Sequence, residues 1–267
     1  MQKPLTILGA GYTGRHLFAL AEAKGIPVLA GSRSPDRHLA PVPLPQRIEF
    51  DLERQETWRN IPDGADLIWC FPATPLNLVA AFALQIAPKA GRLIVLGSTS
   101  AYKQGAETSA PWLDEASAID ETIPRVQGEE HLRLTHRAIV LRVAGIYGPD
   151  RNVLGWIRQG RVGPSPRYVN LIHVEDLAGI CLQALERAGP GEVYNVSDGQ
   201  PRQWKEICEV ARRRWNVAPR EGTTDDRCGK KISIAKLTAE LGYRFKHPDL
   251  YAALDEIEST GAQRALE

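Results

Sequence analysis

The chain has 267 residues, of which 43% are hydrophobic and 24% charged, with a formal net charge of +1 at pH 7. That length suits one α/β domain with a small appended lobe and is short for two independent domains. The near-neutral balance gives no general attraction to nucleic acid or to an anionic membrane, and no apolar stretch approaches membrane-spanning length. The four cysteines, Cys70, Cys181, Cys208 and Cys228, are scattered without metal-ligand spacing, which fits a reduced compartment. A strand and a glycine motif begin almost at once, so no signal peptide is expected and the chain is read as cytoplasmic.

In chain order, Leu5–Leu8 predicts a short strand ending at Gly9. Helical periodicity runs from Thr13 to Lys24, with Leu17, Leu20 and Ala21 on one face. Pro27–Ala30 predicts a second strand, closed by Gly31. A proline-rich loop, Ala40 to Pro45, leads to a third at Ile48–Phe50, and Asp66–Cys70 gives a fourth. Pro75–Pro88 reads as a helix rich in Ala and Leu. Arg92–Leu96 is a continuous apolar strand of the kind buried on both faces. A helix is expected at Pro124–His136, with proline in its first turn, then a strand at Ala138–Leu141. Repeated β–α–β units imply a doubly wound parallel sheet, a Rossmann α/β fold, with residues 1–145 as the dinucleotide-binding core. Gly, Pro and Arg become frequent between Gly145 and Arg167. Helices are expected at Val174–Ala188, Arg202–Trp215 and Ile234–Leu241, with a strand at Glu192–Asn195. The run Arg212–Arg214 reads as a solvated helix face. Residues 146–267 are expected to complete the sheet and to lay a small substrate lobe across the strand ends.

Gly9-Ala10-Gly11-Tyr12-Thr13-Gly14 is a G-x-G-x-x-G motif between a strand and a helix, the context the motif requires. Its first glycine permits a tight turn, its second lets a pyrophosphate approach the backbone, and its third allows close helix–strand packing. The helix N-terminus attracts the phosphate charge. At the end of the second strand, where NAD sites carry Asp or Glu for the ribose hydroxyl, stands Gly31-Ser32-Arg33-Ser34. An arginine with hydroxyls suits a 2′-phosphate, so NADP is expected ahead of NAD. Phe50-Asp51-Leu52 offers an adenine contact through the Asp51 carboxylate, a role compatible with a helix N-cap. Phe71-Pro72-Ala73-Thr74, just past a strand end, is expected to line the same crevice.

Several further stretches resemble the extended short-chain dehydrogenases/reductases, the group that includes nucleotide-sugar epimerases and dehydratases. They are Gly9–Gly14, Asp51-Leu52, Gly97–Tyr102, Trp112–Glu115, Leu141–Pro149, Leu171–Ala178, Val193–Asp198, Lys230–Ser233 and Leu241–Tyr243. The resemblance implies that Ala144 lies at the cofactor and that Ser98 is the hydroxyl orienting the substrate oxygen. It also implies a Tyr-x-x-x-Lys on the next helix, the tyrosine acting as acid/base and the lysine lowering its pKa. None of the seven tyrosines has lysine four positions on. In register, the helix offers Arg125 where the tyrosine falls and Glu129 where the lysine falls, with Glu130 as the alternative. This resembles an atypical branch labelled NAD-dependent epimerase/dehydratase. Four apart on one helix face, Arg125 and Glu129 are expected to pair. Arginine stays protonated and is no general acid/base, but it suits clamping a carboxylate or phosphate. Tyr102 is the candidate replacement acid, and a packing role is the plainer reading of it. Asn170 and His173 are expected near the substrate lobe, His173 more simply as a structural histidine.

Two functions follow. One is an NADP-dependent reductase, epimerase or dehydratase acting on a small hydroxylated or carbonyl substrate. The other is a cofactor-binding redox sensor or regulatory protein without turnover. No metal site is expected. Family members often dimerise through the helices after the fourth and fifth strands. Here these carry Leu78, Phe82 and Ile86 on the first and many charges on the second, so a monomer or weak homodimer is expected.

Overall fold

The structure, a computed structural model, describes residues 3–103, 110–219 and 228–264. The outer limits set above, residues 1 and 267, lie outside the described residues. The apolar run β1 (Leu5–Leu8) is buried at every position, as a strand covered on both faces must be. Then come α1 (Tyr12–Ala23), β2 (Val28–Ser32), the single turn α2 (Pro35–His38), β3 (Arg47–Glu49), β4 (Asp66–Trp69) and α3 (Leu76–Ile86). β5 (Leu93–Ser98), the two-residue β6 (Trp112–Leu113), α4 (Pro124–His136) and β7 (Ile139–Val143) follow. The remainder comprises β8 (Gly145–Tyr147), α5 (Val153–Arg158), β9 (Tyr168–Val169), β10 (Leu171–His173), α6 (Val174–Arg187), β11 (Val193–Val196), β12 (Arg202–Gln203), α7 (Trp204–Trp215), β13 (Lys231–Ile232) and α8 (Leu250–Arg264).

Seven strands pair in parallel in the order β11-β7-β5-β4-β1-β2-β3. The order reverses between β1 and β4, and the crevice beyond their carboxyl ends is where such a sheet binds ligands. α1 and α6 cover one face, where Leu17, Ala21 and Leu177 meet Ile7, Ile68 and Ile94. α3 and α4 cover the other. There Phe82 meets Trp58 and Trp69 edge-on at 5.3 and 5.2 Å, a favourable aromatic geometry. Phe82 and Ile86 are therefore core residues and not an outer dimer stripe. The large apolar side chains that α3 and α4 leave exposed are Leu76, Leu84 and Leu134. A third apolar cluster joins α5, α7 and α8 beside the sheet.

Several elements depart from expectation, and α2, α5, β8 and β10 are additional to it. Arg202–Gln203 is not helical but pairs antiparallel with Tyr168–Val169, and α7 starts at Trp204. The segment expected as a helix to Leu241 runs through a π turn at Leu237–Leu241 and ends at Gly242 in the left-handed region. α8 went unread, although Leu250, Ala253, Leu254 and Ile257 follow helical spacing and Asp249 Oδ1 accepts from the Ala252 N–H at 2.8 Å. Arg212, Arg213 and Arg214 are exposed on α7, as a solvated face requires. Among the described residues no helix is long and apolar enough to cross a membrane.

Candidate functional site

The switch-point crevice contains a cavity of about 450 Å³. It is lined by the Gly9–Gly11 turn, by Ser32, Arg33 and His38 at and after the end of β2, by Asp51–Glu53, and by Phe71, Pro72, Thr74 and Leu78. Gly9 has φ 78°, and a Cβ there would lie 2.6 Å from Phe71 Cδ1, so only glycine fits. A Cβ on Gly14 would stand 3.1 Å from Ile7 Cγ2, which is the close helix–strand approach. A Cβ on Gly11 would meet nothing, so the backbone is open to the cavity there. α1 has neither a side-chain cap nor an acidic residue in its first turn. Its first N–H groups are thus open to an anion, and this end of the crevice fits a dinucleotide pyrophosphate.

At the end of β2 the Ser32 hydroxyl lies 3.0 Å from His38 Nδ1 and accepts from the Ser34 N–H at 3.3 Å. Asp51 Oδ1 accepts from the Glu53 N–H at 3.0 Å, and its Oδ2 accepts from Arg54 Nε at 3.3 Å, so the carboxylate also caps its own turn. Thr74 lines the cavity as expected, and His38, Glu53, Pro75 and Leu78 join it without a sequence signal. They come from loops and helix ends that carry no motif.

Five residues expected at the cofactor lie outside this lining: Gly14, packed against Ile7, and the four that follow. Tyr12 donates its hydroxyl to the Pro149 carbonyl at 2.7 Å, tying α1 to the loop after β8. Thr13 is buried. Ala73 is covered by α4, where a Cβ on Gly128 would run into the Ala73 carbonyl. Ala144 is buried, its N–H donating to the Val196 carbonyl at 2.9 Å.

Ser98 ends β5 and caps the turn Thr99–Ala101, its Oγ accepting from the Ser100 N–H at 3.2 Å and donating to Ser100 Oγ at 3.3 Å. Arg125 Nη2 donates to that same Ser100 hydroxyl. No ion pair joins Arg125 to Glu129, contrary to expectation: Arg125 turns outward to the serine turn while Glu129 turns inward. Glu129 is 2% exposed, and its carboxylate lies beneath Gly97, where a Cβ would stand 2.6 Å from Oε2. Glu130 instead pairs with Arg133 at 2.5 Å and with Arg142 at 3.5 Å. Burial pushes the Glu129 carboxyl up to about 7, against the opposing pull of Arg125 and Arg142.

Tyr102, the candidate replacement acid, is buried with its hydroxyl engaged. It is 2% exposed, its hydroxyl donates to Asn195 Oδ1 at 2.6 Å and it accepts from Arg142 Nη1 at 3.2 Å. Burial raises its pKa, so it is neither free nor poised to give up a proton. His173 is a structural histidine: buried, its Nδ1 accepts from the Glu175 N–H at 3.3 Å and so caps α6. Asn170 likewise supports backbone, accepting from the Ile232 N–H and donating to the Lys230 carbonyl, both at 2.9 Å.

No protein-family model matches the chain. A curated relative, Protein YeeZ of Escherichia coli (strain K12), is 26% identical over 169 residues, which span 61% of this chain and 61% of the relative. A putative NAD-dependent epimerase/dehydratase from Methylobacillus flagellatus has a TM-score of 0.79 at 26% identity, covering 98% of this chain and 99% of the other. A short-chain dehydrogenase/reductase superfamily protein from Agrobacterium tumefaciens with bound NAD has a TM-score of 0.80 at 12% identity, covering 98% of each chain. The fold is thus a Rossmann-like α/β fold shared with both structures, and the chain is similar to a putative NAD-dependent epimerase/dehydratase.

The buried carboxyl gives a test. The folded chain holds the Glu129 proton more tightly than the unfolded chain, whose carboxyl titrates near 4.5. Its contribution to stability is therefore full below about pH 4.5 and lost as pH rises through about 7. Glu129→Gln removes that loss. Relative to wild type, the variant should gain roughly 2–3 kcal/mol between about pH 5 and pH 8 in urea unfolding. Parallel pH–stability curves for the two proteins would mean that Glu129 ionises like an exposed carboxylate.

Proposed function

We propose that this chain is an NADP(H)-binding reductase-, epimerase- or dehydratase-like protein for a small hydroxylated or carbonyl substrate, with an altered acid/base site. The observation that carries it is the end of β2, where Ser32, Arg33 and His38 line the cavity and no carboxylate closes the strand. Guanidinium and hydroxyl donors favour a 2′-phosphate, which an acid there would repel. Bound, the cofactor supplies a hydride acceptor or donor at the nicotinamide. Ser98 would hold the substrate oxygen, with its hydroxyl already oriented by Ser100. A guanidinium is no general acid/base, so Arg125 is assigned no proton transfer. A second reading is a redox sensor or regulatory protein without turnover. It is favoured by the Tyr102 hydroxyl being engaged with Asn195 and Arg142.

Calorimetry with both cofactors tests the first reading: NADPH should bind more tightly than NADH. Arg33→Ala should weaken NADPH selectively, by about 1.5–3 kcal/mol, the worth of a hydrogen bond to a charged group. Equal affinities, or a preference for NADH, would overturn the assignment.

Steady-state assays on a panel of simple alcohols and ketones test the altered site. Turnover should be slower than for a Tyr–Lys enzyme by about a hundred- to ten-thousand-fold, the usual worth of a positioned acid/base. Brisk turnover would count against an altered site.

Leu84 on α3 and Leu134 on α4 are single exposed apolar side chains, which suits a monomer or weak homodimer. Light scattering at micromolar concentration should find no stable higher oligomer, and a stable tetramer would contradict this.

A further inference from the structure

We infer that His38 is a second ligand for the 2′-phosphate of the dinucleotide, binding it as an imidazolium beside Arg33, so that the choice between NADPH and NADH depends on pH. The inference rests on the reading of the β2 end given above and adds to it a specificity-determining residue and a proton.

Local structure brings His38 to that end. Pro35 opens the single turn α2, and the His38 N–H donates to the Ser34 carbonyl at 2.9 Å. Leu39, the next residue, is fully buried and anchors the turn. The imidazole thereby reaches Ser32, with Nδ1 3.0 Å from Oγ, and lines the same cavity of about 450 Å³ as Arg33. Among the described residues, Arg33 and His38 are the only basic side chains in that lining. Burial does not hold the ring there, since His38 is exposed. Nor does the turn need it, because Ser32 Oγ already accepts from the Ser34 N–H at 3.3 Å.

The surrounding charges leave a place for a second cation. α2 packs on β2 and β3, and β2 carries no charged side chain. On β3, Arg47 donates to the Val42 and Ala40 carbonyls at 2.6 and 2.9 Å and lies 3.8 Å from Asp36, itself almost wholly exposed on α2. Arg37 is exposed and outside the cavity lining. Asp51 and Glu53 line the cavity from the segment after β3. Arg54 pairs with Asp51 at 3.3 Å and with Glu49 at 2.5 Å, but Glu53 forms no ion pair among the described residues. Arg33 alone therefore no more than balances Glu53. A phosphate monoester brings nearly two negative charges, and a second cation is needed to turn the lining positive.

Histidine takes up a proton near neutrality, and a neighbouring anion favours its charged form. With Nδ1 unprotonated, the ring accepts from the Ser32 hydroxyl. Once the ring is protonated, Nδ1–H donates to Ser32 Oγ, and the Ser32 hydroxyl is freed to donate to a phosphate oxygen. One proton from solvent thus supplies both a positive charge and a further donor. NADPH binding takes up that proton, so its affinity is greater at low pH and falls as pH rises through the ring's raised proton affinity. NADH, with a hydroxyl in place of the phosphate, draws on neither.

Calorimetry on the full chain in Hepes and in Tris, buffers of different ionisation heat, counts the protons bound. At about pH 7.5, NADPH should take up a fraction of a proton and NADH none. NADPH should also bind about fivefold more weakly at about pH 8.5 than at about pH 6.5, the effect of an approximately tenfold rise in the ring's proton affinity on binding. His38→Gln should abolish both the uptake and the pH dependence, while NADPH stays preferred through Arg33. A preference for NADPH that is independent of pH and takes up no proton would overturn the inference and leave the cofactor reading standing. So would a pH dependence that persists in His38→Gln. Equal affinities for the two cofactors at every pH would instead overturn the cofactor reading, and the inference with it.

Discussion

The C-terminal part of the chain is locked to the Rossmann core by one buried polar cluster centred on Asn195. This side chain, in β11, is fully buried. Its Oδ1 accepts from the Tyr102 hydroxyl at 2.6 Å, its Nδ2 donates to the Ser233 carbonyl at 3.1 Å, and its backbone N–H donates to Glu115 Oε1 at 2.7 Å. Arg142, its register partner in β7, donates to the same Tyr102 hydroxyl and to the Glu115 carbonyl. In low dielectric each bond is strong and each unmade bond costly, so the members are not replaceable singly. The cluster joins the turn after Ser98, the loop carrying Glu115 and the segment carrying Lys230 and Ser233. The candidate substrate side of the site is thereby assembled from parts far apart in sequence.

Two glycines set the other side. At Gly128, α4 comes so close to the loop after β4 that no side chain fits between the helix and Ala73. That contact fixes the height of α4 over the sheet. One residue further on, Glu129 is then directed under β5, where Gly97 leaves room for its carboxylate. A bulkier residue at either position would lift the helix or expel the carboxylate. The depth that dehydrates Glu129 is thus a consequence of backbone approach.

The Rossmann half was legible because its signals are local. Strands buried on both faces read as unbroken apolar runs, and Gly9–Gly14 stands in its required strand–helix context. The later half was less legible. β6, β9, β12 and β13 are two residues each, and such strands exist through tertiary pairing, with no periodicity to read. α8 was readable and was missed. In the site, Ser32 and Arg33 announced themselves by the absence of an acid, whereas His38 at the end of α2 and Glu53 in a loop reach the cavity without a motif. Tyr102 illustrates the limit most clearly: its partners Asn195 and Arg142 lie far along the chain, and nothing near Tyr102 in sequence reveals that its hydroxyl is engaged.

The pairing of Arg125 with Glu129 has an electrostatic logic even though the two form no ion pair. An arginine on the outer part of α4 brings a permanent cation near the position one turn along. With lysine at 129, two cations would stand four residues apart on one face, beside a third in Arg142, and like charges at that spacing repel. Lysine there would also be buried, which disfavours its charged form. A glutamate meets the opposite balance. Burial raises its pKa while Arg125 and Arg142 lower it, and the carboxyl comes to rest near neutrality. The same two guanidiniums that would expel a lysine therefore make a buried glutamate tolerable. Beside Arg125 and Arg142, an acid at 129 carries a smaller electrostatic cost than a lysine would. Positive charge then collects on the Ser98 side of the crevice, and the space under Gly97 holds a group that is close to neutral.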